Sequence, residues 1–184
     1  MTRKSRSLEH YLVAAAQLGE RPAMEQLVAL RGPRLQVHAT RLLGDPEEAR
    51  DAVQDAWVAI FKGLSSLQDT QAFPAWATRI VTRRCAAVIK RKQGDRALSA
   101  ALLAEREDAA PETGPDAVRA AHVRRAIASL PPDQAATVAL FYLDDMGVAE
   151  VSVAMDVPVG TVKRRLMLAR DKLRTTLKGE ENDQ

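Results

Sequence analysis

A chain of 184 residues that is 46% hydrophobic has room for one domain or two small ones and enough apolar surface to bury a core. Lysine and arginine total 27 against 24 acidic residues, a net charge of +3, so information about partners lies in where charge sits and not in its sum. Cys85 is the only cysteine and excludes an intramolecular disulfide, His10, His38 and His122 lack ligand-like spacing, and no apolar run suits a bilayer span or a signal peptide. No metal, cofactor or membrane insertion is therefore expected, and the expected location is cytoplasmic.

Ser7 to Leu18 reads as a first helix, capped by the serine, carrying Leu8, Leu12, Ala15 and Ala16 inward and ending near Gly19. A second starts at Pro22 with Met24, Leu27, Val28 and Leu30 inside, and Gly32-Pro33 is expected to break or bend it. From Pro33 the residues Leu35, Val37, Ala39, Leu42 and Leu43 lead to a stop at Gly44. Elements this short need neighbours to be stable.

Pro46 to Lys62 has the clearest helical period, with Ala49, Ala52, Val53, Ala56, Trp57, Ile60 and Phe61 on one stripe. Glu48, Asp51 and Asp55 recur at three- and four-residue steps on the opposite, solvated face. Such acids usually serve solubility. Glycoside hydrolysis would set two carboxylates across a cleft, not on one helix face.

Gly63 to Ala72 is short and polar and reads as a loop. Phe73 to Lys92 follows as a long helix with Phe73, Trp76, Ala77, Ile80, Val81 and Val88 inward. Its Arg79, Arg83, Arg84, Lys90, Arg91 and Lys92 have no acidic counterweight on the same helix. Cations beside aromatic rings suit opened nucleic-acid strands, since phosphates attract cations and unstacked bases stack on ring faces. Trp76 lies on the apolar stripe, so a core role competes with base stacking.

Gln93 to Pro115 becomes acidic and rich in proline and glycine, the composition of a flexible linker. Asp116 caps a further helix containing Val118, Ala121, Val123, Ala126 and Ile127, which Leu130-Pro131-Pro132 ends. Asp133 restarts a helix through Ala136, Val138, Ala139, Leu140, Phe141 and Leu143.

The final stretch, Val148 to Arg174, places Val148, Val151, Met155 and Val157 at near-helical spacing. Asp156 to Gly160 then interrupts the pattern before Val162, Leu166, Ala169 and Leu173 resume it. Pro158 suits the start of the second helix, with Gly160 or Thr161 as its cap. Burying Val162 and Leu166 turns Arg164 outward with Lys163 and Arg165 on its flanks. Lys163, Arg164, Arg165, Arg170, Lys172 and Arg174 face only Asp171 in opposition, a bias that favours a polyanion as partner. A short helix, a turn and a basic second helix is a helix-turn-helix that fits a DNA major groove.

Pro158-Val159-Gly160-Thr161-Val162-Lys163, with Arg165-Leu166 and Ala169-Arg170, resembles the recognition-helix signature of extracytoplasmic function (ECF) sigma factors, small promoter-specificity subunits of bacterial RNA polymerase. Asp51-Ala52-Val53-Gln54-Asp55 with Trp57 and Phe61 is similar to that family's second conserved region, and Ser129-Leu130-Pro131-Pro132 to its fourth. Arg164 departs from a common serine, Leu168 from a frequent arginine, and Arg83 and Ala87 from a common asparagine and aspartate.

The resemblance implies an all-α fold of two small helical domains joined by the flexible acidic linker. Residues 1–92 would form sigma region 2, 93–115 the linker and 116–184 sigma region 4 with the helix-turn-helix. Glu48, Asp51, Gln54 and Asp55 would bind the beta-prime clamp of core RNA polymerase, and region 4 the beta flap. Ser65, Ser66, Gln68, Asp69, Thr70, Trp76, Arg79 and Arg83 would contact the minus-ten promoter element. Val159, Gly160, Thr161, Lys163, Arg164 and Arg165 would read the minus-thirty-five element. The linker would thread the polymerase cleft, with a plain tether as the alternative, and an anti-sigma factor would hold the protein silent.

No nucleophile, base and orienter constellation and no phosphate loop is visible, so no catalysis is expected of the chain itself. Two other classes compete: a dimeric helix-turn-helix regulator, for which no heptad seam is visible, and a sigma-like mimic that titrates an anti-sigma factor, which would not need the basic helix that this chain keeps.

Overall fold

The computed structural model describes residues 3–98, 126–127 and 129–181, and among these there are helices and turns but no strand. Seven helices are bounded within them: α1 (Arg3–Gln17), α2 (Arg21–Leu43), α3 (Pro46–Gly63), α4 (Phe73–Leu98), α5 (Pro132–Tyr142), α6 (Val148–Met155) and α7 (Val159–Glu181). The first four pack around Leu27, Leu35, Ile60, Phe73 and Val81. The last three pack around Leu140, Val151, Val162 and Leu166. This is the expected all-α fold of two helical units, the second holding the helix-turn-helix. The units meet where α4 packs on α6 and α2 on α5.

Local chemistry sets most of the boundaries. Gly44 ends α2 in the left-handed region at φ 75°, where it gives its N–H to the Thr40 carbonyl at 2.8 Å. The next residue, Asp45, caps α3: its Oδ1 accepts from the N–H groups of Glu47 at 2.9 Å and Glu48 at 3.1 Å. Pro46 fills the first helical position, and Glu47 and Glu48 lie favourably in the positive first turn.

Three expectations about the N-terminal helices need correction. Ser7 lies inside α1, which begins at Arg3, and so does not cap it. The second helix runs unbroken through Gly32-Pro33. Pro33 removes one amide donor, but Ala23, Leu27, Arg31, Leu35, Ala39 and Leu42 form a buried stripe on both sides of it, and that burial outweighs the lost hydrogen bond. The stretch from Gly63 to Ala72 is not plain loop: it holds two 3₁₀ turns, Leu64–Ser66 and Thr70–Ala72, pinned by the buried Leu64 and by the Gln17 side chain, which donates to the carbonyls of Leu64 and Leu67.

Beyond α3 the periodicity holds. Phe73, Ala77 and Val81 are fully buried and Ile80 partly so. The fourth helix continues to Leu98, so the first residues expected in the linker are helical. Residues 99–115 of that linker, and the helix expected from Asp116 as far as residue 125, lie outside the described residues. Ala126 and Ile127 are helical and buried, as their place on the stripe requires.

His38 sits at the seam between the two units. Its Nε2 donates to Thr82 Oγ1 at 2.9 Å, and that hydroxyl donates to the Ala154 carbonyl of α6 at 2.7 Å. This relay assigns the Nε2–H tautomer and leaves Nδ1 buried without a partner. Burial first, and the nearby Arg41 charge second, push the imidazole down to about 3. The folded-state pKa lies below the unfolded value near 6.5, so the stabilisation is complete above about pH 6.5 and is lost as pH falls from there toward 3. Stability should therefore drop by about 2 kcal/mol between pH 6.5 and 5, at roughly 1.4 kcal/mol per pH unit. Urea denaturation of the native chain and of His38→Gln at both pH values measures this. A pH difference of equal size in the two proteins would assign the loss to other groups.

Candidate nucleic-acid interface

The helix-turn-helix is built from α6, the turn 156–158 and α7. Glu150 Oε2 accepts the Gly147 N–H at 2.7 Å and secures the start of α6. Asp156 ends it in the left-handed region, φ 54° and ψ 42°, a conformation that aspartate tolerates better than most residues. Ser152 Oγ donates to the Val157 carbonyl at 2.6 Å and braces the turn.

The recognition helix begins at Val159. The Pro158 carbonyl receives the N–H groups of Thr161 at 2.9 Å and Val162 at 3.2 Å, so Gly160 and Thr161 lie within the first turn and neither is its cap. Val162, Leu166 and Ala169 are fully buried, as the periodicity required. Val159, Gly160, Lys163 and Arg164 are exposed, and Thr161 is half-buried. Arg165 differs from its neighbours: its guanidinium turns back to Asp133 at the start of α5. The exposed basic surface of the helix is carried by Lys163, Arg164, Arg170, Lys172 and Arg174, of which Lys172 also donates to the Ser129 carbonyl at 3.0 Å.

A second basic surface lies on α4. Arg79 and Arg83, one turn apart, both reach Asp156. Arg79 Nε and Nη2 lie 2.9 Å and 2.8 Å from Oδ1, and Arg83 Nε lies 2.9 Å from Oδ2. The Arg83 hydrogen bond is the largest influence on the Asp156 carboxyl; with the Arg79 hydrogen bond and the two guanidinium charges it outweighs desolvation, the second-largest, and holds the carboxyl below the usual carboxylate range. The stretch of α4 from Phe73 to Lys92, which contains no acid, thus has acidic partners on other elements, since Lys92 also lies in ion-pair contact with Glu48. In the sequence pattern Asp156 marks only the turn. Spacing along a chain cannot show that a turn aspartate meets two arginines more than seventy positions away.

Trp76 is half-buried against Phe73, ring centroids 6.2 Å apart, and covers Gly63 so closely that a Cβ there would lie 3.1 Å from its Cζ2. It is packed and partly exposed. In the adjoining segment Ser65, Ser66, Gln68 and Asp69 are exposed and Thr70 is half-buried. Ser66 Oγ donates to the Gly63 carbonyl at 2.7 Å, and Asp69 Oδ1 accepts the Gln71 N–H at 2.8 Å, so these two side chains shape the turn as well as line it.

On α3 the acidic face lies opposite the buried Ala49, Ala52, Val53, Ala56 and Trp57. Asp51, Gln54 and Asp55 are exposed, and with Glu48 they form one wall of a groove whose other wall is Arg84, Val88 and Arg91 of α4. One face of the N-terminal unit is therefore an acidic rim beside cations. The charge pattern suits a protein partner there and a nucleic acid on the arginine-rich side of α4.

Comparison with known proteins agrees with this arrangement. The family model for sigma-70 region 2 matches residues 27–94, and that for sigma-70 region 4 matches residues 121–173. The ECF RNA polymerase sigma factor SigM of Mycobacterium tuberculosis is 31% identical over 164 residues, covering 88% of this chain and 81% of its own length. SigW of Bacillus subtilis is 25% identical over 171 residues, covering 87% and 91%. Among solved structures, RpoE in complex with the anti-sigma factor NepR from Bartonella quintana has the same fold, with a TM-score of 0.71 at 21% identity over 84% of this chain and 96% of that one. CnrH in complex with the cytosolic domain of CnrY gives a TM-score of 0.63 at 23% identity over 94% and 98%. With both sigma regions matched in order and a relative at 31% identity along most of its length, the chain belongs to the ECF family of RNA polymerase sigma factors.

Proposed function

We propose that the chain is a transcription initiation factor that directs core RNA polymerase to its own set of promoters, acts in the cytoplasm and catalyses no reaction itself. Residues 1–92 serve as region 2, 93–115 as the connecting linker and 116–184 as region 4. The observation that carries the reading is the combination on one chain of a basic helix-turn-helix and a second basic helix, α4, in the order that the two family regions require. Glu48, Asp51, Gln54 and Asp55 are the polymerase-binding face, directed at the beta-prime clamp, and region 4 meets the beta flap. Ser65, Ser66, Gln68, Asp69, Thr70, Trp76, Arg79 and Arg83 serve the minus-ten element, and Val159, Gly160, Thr161, Lys163, Arg164 and Arg165 the minus-thirty-five element. Strand opening follows from holding phosphates and unstacked bases in place, while polymerase carries out phosphoryl transfer.

One structural neighbour, RpoE, was solved with the anti-sigma factor NepR, which supports an anti-sigma factor as a further partner. Among the described residues no helix is long and apolar enough to cross a membrane. The deciding experiment is in vitro transcription by purified core polymerase with and without the chain, with start sites mapped. Specific initiation that depends on the chain is the expected result, and unchanged transcription would reject the reading.

Arg164 provides a finer test. It is exposed, stands opposite Val162 and Leu166, and has no cap or turn to maintain. If it reads a guanine, Arg164→Ala should weaken promoter binding by the holoenzyme by roughly 1–3 kcal/mol and relax preference at one base pair. An equal loss on all promoters would make it a phosphate contact.

A further inference from the structure

The contact between Asp156 and the two arginines of α4 joins the two surfaces assigned to DNA. Asp156 is the turn residue of the helix-turn-helix, three positions before the recognition helix, and Arg79 and Arg83 belong to the minus-ten surface. The geometry is that of a phosphate mimic: one carboxylate, two oxygens, and a guanidinium on each at 2.8–2.9 Å. Neither arginine can bind a phosphate in this way while the carboxylate holds it.

The closed arrangement also conflicts with promoter spacing. The two elements are centred about 25 base pairs apart, which is roughly 85 Å of duplex at 3.4 Å per step. Here the turn of the minus-thirty-five reader lies within hydrogen-bonding distance of the minus-ten helix. The two readers cannot occupy both elements without separating.

The seam is made to hold and also to release. Thr82 of α4 donates to the Ala154 carbonyl, and Arg34 of α2 lies 3.3 Å from Asp144, which follows α5. The side chains of Arg79, Arg83 and Asp156 keep 39%, 60% and 37% of their surface exposed. Solvent and salt therefore screen the ion pairs, and a competing anion can reach the guanidinium groups.

We propose that Asp156 is an autoinhibitory latch: in the free protein its carboxylate occupies Arg79 and Arg83 in place of nucleic-acid phosphates and keeps the two units closed until polymerase draws them apart. The inference rests on the DNA role proposed above for these arginines. It assigns Asp156 a task that neither helix capping nor promoter reading requires.

The test uses the full chain. Asp156→Asn removes the charge and keeps a residue that tolerates the left-handed backbone, and an unchanged circular dichroism spectrum verifies the fold. The probe is fluorescent single-stranded DNA of minus-ten length, titrated without polymerase at fixed low salt. Asp156→Asn should bind roughly three- to tenfold tighter than the native chain, the scale of one or two partly exposed ion pairs. Adding Arg79→Ala and Arg83→Ala should erase the gain. Glu25→Gln makes the same charge change on the surface of α2 and should show no comparable gain.

Binding by Asp156→Asn no tighter than by the Glu25→Gln control overturns the latch. The underlying reading is measured separately, by open-complex formation with core polymerase and the Arg79→Ala/Arg83→Ala variant. Unimpaired opening there would reject the DNA role of the arginines and the proposal with it. Impaired opening together with no gain in Asp156→Asn would reject the latch alone.

Discussion

Replacing either member of the Glu9–Arg31 pair singly, by Glu9→Gln or Arg31→Met, is expected to lower the unfolding free energy by about 3–5 kcal/mol. The carboxylate and guanidinium meet in a two-pronged contact, Nε to Oε1 at 2.6 Å and Nη2 to Oε2 at 2.8 Å, with side-chain exposures of 0% and 2%. Removing one partner leaves the other charge in the interior without compensation, which costs far more than the pair contributes over an apolar substitute. The double variant Glu9→Leu/Arg31→Met should therefore recover most of what each single change loses. Urea denaturation of the three variants reads both effects. Single losses below about 1 kcal/mol would mean that the site hydrates or rearranges freely. The pair joins α1 to the middle of α2 just before Pro33, where the helix lacks one backbone donor, so it fixes α1 where α2 is locally weakest.

That pair also shows where sequence reading stops. Glu9 falls on the stripe that carries Leu12, Val13 and Ala16, and Arg31 on the four-residue stripe of Leu27 and Leu35. A charged residue on an apolar stripe signals a buried polar contact, but two such signals on separate helices do not say that they meet. The helices of the core were legible because burial follows period: the stripe from Ala49 to Ile60 and the run Val162, Leu166, Ala169 are buried as their spacing demands. The unbroken α2 was not, because the cost of Pro33 is local and visible while the packing that offsets it is tertiary. The acidic face of α3 and the exposed Lys163 and Arg164 followed from phase alone. The partners of Arg165, Arg79 and Arg83 did not, since Asp133 and Asp156 approach only when separate helices assemble. Charge that is unopposed along one helix need not be unopposed in the fold.

Reversing Asp51 and Asp55 together to lysine is expected to remove binding to core polymerase while leaving the fold intact. Both are exposed, four residues apart on α3, and the helix buries its opposite face through Ala49, Ala52, Val53, Ala56 and Trp57. Lysine is as good a helix former as the position requires, so circular dichroism should not change and the melting temperature should move only slightly. Arg84 and Arg91 across the groove add mild repulsion in the variant. The proposed partner sees more: two attractive charges become two repulsive ones at a contact that closes over them. Charge pairs of this kind are worth about 2–5 kcal/mol each when one side is lost, so losing two should cost at least about 4 kcal/mol, a fall in affinity of roughly 700-fold or more. Competition binding against the native chain, with fluorescently labelled core polymerase, gives the number. Glu48 is the informative comparison, because it already pairs with Lys92 and Glu48→Gln should therefore cost less than reversal of the two free-standing aspartates. Affinity within twofold of native in the Asp51→Lys/Asp55→Lys variant would reduce the acidic face to a solvated surface and require the polymerase contact to lie elsewhere on the N-terminal unit.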